Sequence, residues 1–137
     1  MTFLAARLAE IRRHLDHLHE IRGRVRSIED LLQDLSLHND VLFSLVMIAQ
    51  NVTDVAGELN SRRGLTFGTY REAIENLGRI KEFPREMIES LAELPGFRNV
   101  VLHEYVDLDF ARVLAAMANL DPVERFVEIV GAMEMEE

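Results

Sequence analysis

A chain of 137 residues, 48% hydrophobic and 28% charged, has the size and balance of one soluble globular domain, and its lack of cysteine excludes disulfides, thiolate catalysis and cysteine-ligated metal centres. No apolar run approaches the roughly 18 residues of a membrane span, and Arg7 and Glu10 interrupt the stretch that a signal peptide would need, so no membrane partner and a cytoplasmic location are expected. A formal net charge of −9 argues against a broad nucleic-acid-binding surface, because phosphate contacts need clustered Lys and Arg.

The elements read as helices throughout. Leu4, Leu8, Ile11, Leu15 and Leu18 recur in steps of four and three, one face of a first helix, which weakens at Gly23 within Arg22, Arg24 and Arg26. Ser27, three residues before the carboxylate of Asp30, marks a fresh start ahead of Leu31 and Leu35. Asp40 to Asn60 is apolar around more than half its circumference and is expected to be the central helix, followed by a loop to Gly68. Thr69 caps a short helix and Pro84 opens another. Pro95-Gly96 reads as a turn, Phe97 to Val106 as helix, and Asp107 or Asp109 as a cap for the next helix. Asp121-Pro122 opens a last helix to about Met133, with a frayed acidic tail from Gly131 onward. No period-2 alternation occurs, so no sheet is expected. The expected fold is a single-domain all-α bundle of about five helices, residues 1–133, with an acidic tail at 134–137.

One dense constellation stands out: Phe97-Arg98-Asn99, then His103-Glu104-Tyr105, with Leu108-Asp109 following. Together with Thr53-Asp54-Val55-Ala56 and Thr69-Tyr70-Arg71-Glu72 upstream, this resembles the HepT-like ribonuclease toxins of the HEPN superfamily. The resemblance covers roughly Met1 to Leu120. It implies a ribonuclease site at Arg98 and His103, supported by Asn99. It further implies a tyrosine, Tyr105, that a nucleotidyltransferase antitoxin adenylylates to silence the toxin. A homodimer whose cleft joins two copies of the motif is implied as well, with RNA rather than DNA as substrate. No metal or other cofactor is implied.

The residue types suit that chemistry. Metal-independent RNA cleavage needs a base for the 2′-hydroxyl proton, an acid for the leaving oxygen and a cation for the phosphorane charge. Histidine serves either proton role near neutrality, and arginine grips phosphate while staying charged. On an ideal helix Asn99 and His103 lie about 40° apart and Arg98 and Tyr105 about 20° apart. Arg98 and His103, at about 140°, do not point together. That favours a site finished across a two-fold axis, with two chains supplying two histidines.

Plainer readings stand beside these. Arg98 can be a solvated residue or pair with Glu93, His103 an ordinary surface histidine, and Tyr105 or Tyr70 a packing residue. Glu10, His14 and His17 share a helical face, which fits a polar stripe better than a metal site. Arg22, Arg24 and Arg26 can hold RNA phosphates or form a charged turn, and Asp54 can support catalysis or pair with an arginine. The rival function is a non-catalytic helical module that binds a nucleotidyltransferase.

The charge is uneven. Residues 99–137 carry two basic and nine acidic side chains, whereas residues 1–98 are nearly balanced. Any RNA site is therefore expected to be a local cleft.

Overall fold

The computed structural model describes residues 2–136, and among them it is all-helical, without a strand. Eight α-helices follow one another: α1 (Phe3–Ile21), α2 (Ile28–Gln33), α3 (Leu35–Arg62), α4 (Tyr70–Asn76), α5 (Arg85–Leu91), α6 (Leu94–His103), α7 (Phe110–Ala118) and α8 (Asp121–Glu136). Short 3-10 turns occupy Arg22–Arg24, Leu77–Arg79 and Tyr105–Asp107. There are more helices than the five the pattern gives, because several joints are a residue or two long. Asp34 alone separates α2 from α3, and two residues separate α5 from α6.

Local signals explain most boundaries. Thr2 caps α1, Asp34 caps α3, Thr69 caps α4 and Asp109 caps α7, each side-chain oxygen accepting from a backbone N–H of the first turn. The carboxylate of Asp30 accepts from the N–H groups of Arg26 and Ser27 and so fixes the start of α2. Helix α3 ends where Gly64 turns to φ 67°, with Gly64 N–H donating to Ser61 and Leu65 N–H to Asn60. That pair of bonds closes a helix only if the glycine position takes a left-handed conformation.

Two expectations are corrected. Pro95-Gly96 is not a turn but part of the first turn of α6, where backbone N–H groups need no helical partner and a proline therefore costs nothing. The C-terminal segment does not fray at Gly131. Helix α8 continues to Glu136, with Phe126 and Val130 fully buried ahead of that point and Glu134 held 2.8 Å from Arg62. Glu137 and the Glu136 side chain lie outside the described residues.

Helix α3 is the axis of the bundle. Helix α1 packs along it through Leu4, Ile11, Leu15 and Leu18, each essentially without exposed surface, and each such burial stabilises by about 1.5–3 kcal/mol. Helix α6 crosses another side of α3, and α8 bridges α1 and α5, with Phe83 stacked on Phe126 at 5.8 Å. Asn60, wholly buried, donates to the carbonyls of Ala56 and Ala73 and accepts from Asn76, which also donates to Thr66. This network ties the end of α3 to α4 and to the intervening loop. It holds α4 at Ala73 and Asn76, and the start of that helix faces α6.

Candidate active site

Helix α6 carries the motif. Its inner face buries Pro95 and Phe97 and packs Val100 and Val101 against the core, while Gly96, Asn99, Leu102 and His103 form an exposed stripe in steps of three and four. Arg98 is half-buried at the edge of that stripe, and its guanidinium donates to Asn99 Oδ1 at 3.0 Å. Arg98 therefore does not pair with Glu93, whose carboxylate takes Arg71 at 3.5 Å. His103 ends the helix, exposed to solvent, and shares no hydrogen bond with Arg98. The structure thus brings Arg98 and Asn99 together by a hydrogen bond, while His103 shares the exposed stripe with Asn99 but no hydrogen bond with Arg98 within one chain.

Tyr105 departs from the ideal-helix expectation. Helix α6 stops at His103, so Tyr105 lies in the following 3-10 turn and not on the Arg98 face. Its ring turns toward α3, where the hydroxyl and His38 Nε2 are hydrogen-bonded at 2.5 Å. His38 is buried at the first turn of α3, with Phe110 against its ring at 5.4 Å. Sequence reading gave His38 no role. Its one signal was its phase, since it stands in register with Val41, Leu45 and Val52 on an otherwise apolar face.

Asp54 is hydrogen-bonded by Gln50 at 2.9 Å and lies 3.7 Å from Arg7, so it is engaged at the α1–α3 contact and not with Arg98 or His103. The arginine cluster is also largely committed. Arg24 pairs with Asp34, Arg12 with Asp16 and Glu124, and Arg13 with Glu10. Arg22 donates to His19 and Arg26 to the Gly23 carbonyl. Among the described residues no hydrogen bond or ion pair links the cluster to α6.

The Glu10, His14, His17 stripe is divided among other partners. The polar-stripe reading is corrected at His14, which is buried and hydrogen-bonded to Ser44 at 2.9 Å. Burial lowers its pKa below the ordinary 6.5; nearby Glu10 opposes that shift, while Arg13 and His17 reinforce it. His17 lies 3.5 Å from Asp40. Among the described residues no group of three or more His, Asp or Glu side chains is placed to hold a metal ion. None of the described helices is long and apolar enough to cross a membrane.

Beside Asn99 a hollow opens between the α4 start and the α6 start, lined among others by Phe67, Tyr70, Arg71 and Pro95. Tyr70, 54% exposed, is on its wall and does not pack in the core.

The chain is similar to proteins of known activity. It is 21% identical over 128 residues to the mRNA nuclease HepT of Shewanella oneidensis, which covers 92% of this chain and 94% of that one. It is 28% identical over 117 residues to the tRNA nuclease HepT of Aphanizomenon flos-aquae, covering 84% and 78%. Its fold matches the tri-AMPylated HEPN toxin of Shewanella oneidensis in complex with an MNT antitoxin, with a TM-score of 0.83 at 21% identity, over 96% of this chain and 99% of that one. A toxin–antitoxin structure with AMP-PNP gives 0.83 at 20% identity, over 94% and 97%. A model of ribonuclease HepT-like proteins matches residues 11–130, nearly the whole of the sequence, and the chain belongs to the ribonuclease HepT-like family.

Proposed function

We propose that this protein is a metal-independent endoribonuclease toxin of a toxin–antitoxin system. The observation that carries the reading is the Arg98–Asn99 pair and His103 on one helix of a chain belonging to this family. The 2′-hydroxyl of the substrate attacks the adjacent phosphorus, a 2′,3′-cyclic phosphate forms and the 5′-oxygen leaves. Arg98 neutralises the charge that grows on the phosphoryl oxygens, and Asn99 orients the guanidinium through its Oδ1. His103 moves protons, as base toward the 2′-hydroxyl or as acid toward the leaving oxygen.

One chain offers one such histidine, and a homodimer with facing motifs offers two. The exposed Leu102 and Val106, the latter 96% exposed, flank His103 and support a protein-covered surface there. Tyr105 is the residue adenylylated by a nucleotidyltransferase antitoxin, and that partner keeps the toxin silent. The similarity to a HEPN toxin solved in complex with an MNT antitoxin supports the pairing.

The test is cleavage of RNA by the purified protein in the presence of chelator, beside Arg98→Ala and His103→Ala. Both variants should lose cleavage while keeping their helical signal. Equal cleavage by all three proteins would sink the assignment. Retention of a stable antitoxin complex without cleavage at any protein concentration would favour a binding module.

A further inference from the structure

The hydrogen bond between Tyr105 Oη and His38 Nε2 joins residues 67 positions apart. Their rings meet edge-on with centroids 5.9 Å apart. The pair runs from solvent inward, since Tyr105 is 47% exposed and His38 only 6%. A phenol is a weak nucleophile at neutral pH, its pKa being about 10. Transfer of a group to its oxygen becomes efficient when a base within hydrogen-bond reach takes the proton as the new bond forms. A neutral imidazole with its proton on Nδ1 presents Nε2 as that acceptor, and the Tyr105 hydroxyl then donates to it. Tyr70, the second of the two tyrosines, is slightly more exposed, and its hydroxyl has no hydrogen-bond partner among the described residues.

We infer that His38 is the base that makes Tyr105 Oη a nucleophile toward a nucleoside triphosphate, an inference that rests on the reading of Tyr105 as the modified residue. Oη attacks the α-phosphorus, and an Oη–P bond forms. The bond from that phosphorus to its bridging oxygen breaks, and pyrophosphate leaves with the electron pair. The hydroxyl proton passes to His38 Nε2 and from there to water once the modified ring moves away. The product oxygen is an ester with no proton to donate, so the turn Tyr105–Asp107 loses this tie to α3. Modification thereby changes the position of the segment that follows His103 as well as its charge.

The pair can be tested on the purified chain without any partner. Labelling with benzenesulfonyl fluoride, read by peptide mass spectrometry, compares Tyr105 with Tyr70 in the same molecule. Base assistance predicts that Tyr105 reacts about tenfold faster or more, although it is the less exposed ring. His38→Gln keeps a hydrogen-bonding group near the Nε2 position but no base, and should bring Tyr105 down to the Tyr70 rate. His38→Asn serves if His38→Gln loses its helical signal. Labelling of Tyr105 no faster than Tyr70 in the unmodified sequence, or an undiminished rate in the variant, overturns the inference.

A second arm supplies an MNT-type nucleotidyltransferase and radiolabelled ATP. Transfer to Tyr105 should slow in His38→Gln by a similar factor, and transfer at the unchanged rate also overturns the inference. Labelling asymmetry with no AMP on Tyr105 refutes the modification reading while leaving the nucleophile–base pair in place.

Discussion

The Arg98 guanidinium donates to Asn99 Oδ1 at 3.0 Å, a bond between sequence neighbours on the exposed side of α6. Adjacent residues on a helix point about 100° apart, so the long arginine must fold back along the surface to make it. Asn99 thus restricts where the charge sits. Asn99→Ala should leave Arg98 in place but free to wander, lowering kcat for RNA cleavage by about 10²-fold with little change in helical content. Asn99→Asp should be worse, because a carboxylate there neutralises the guanidinium. Wild-type kcat in Asn99→Ala would show that the bond has no part in the chemistry.

If two histidines share the proton transfers, activity depends on both protomers of a dimer. His103→Ala subunits, co-expressed in increasing proportion with wild-type subunits, should then reduce cleavage as the square of the wild-type fraction. A linear decline would mean that one histidine suffices for each site. Arg98 donates to Asn99 and shares no hydrogen bond with His103 within one chain, which fits a site completed by the second protomer.

His14 gives the fold a pH dependence whose sign is fixed by burial. Its folded pKa is lowered below 6.5, so under mildly acidic conditions the unfolded chain binds more protons than the folded one. Stability from this group is complete above about pH 6.5 and falls as pH drops through that value toward the lowered one. His14→Asn keeps a hydrogen-bonding group near Ser44 but cannot titrate. The urea midpoint of the variant should change less between pH 7 and pH 5 than that of the parent.

Asn60 is the polar residue on which the α3–α4 junction depends. Asn60→Ala removes two donated bonds, takes its side-chain donor from the Ala73 carbonyl and leaves the Asn76 amide with Thr66 alone, at a cost of about 2–4 kcal/mol. Gly64→Ala strains the left-handed closure of α3 by about 1–2 kcal/mol. Chemical denaturation should rank the two in that order. A change under 0.5 kcal/mol for Asn60→Ala, on the order of an ordinary surface substitution, would refute the account.

Much of this architecture was legible from local chemistry. The spacing of Leu4, Ile11, Leu15 and Leu18, the caps at Thr69 and Asp109, and the apolar girth of α3 all act within a few residues, so sequence reveals them. What escaped was set by distance. Pro95-Gly96 looked like a turn because both residues break helix interiors, yet the first turn of a helix tolerates them. Extending α6 to Val106, three residues past its end, puts Tyr105 on the Arg98 face. His38 meets Tyr105 only because α6 packs on α3 and the turn that follows it reaches the first turn of α3, a relationship no periodicity encodes. Of the candidate site, Arg98, Asn99 and His103 were legible as a motif. The engagement of Asp54 by Gln50 and Arg7 was not.

The ion pairs that hold Arg12, Arg13 and Arg24 have a consequence for thermodynamics in salt. A guanidinium already neutralised by a carboxylate displaces few counterions when nucleic acid arrives. For single-stranded RNA the logarithm of affinity falls by about 0.7 per unit of log salt for each phosphate neutralised. If a homodimer supplies one Arg98 from each protomer as the chief contributor, the slope should be shallow, near −1.4. Such a protein would keep its grip on RNA across the ionic strengths at which a broadly basic binder lets go.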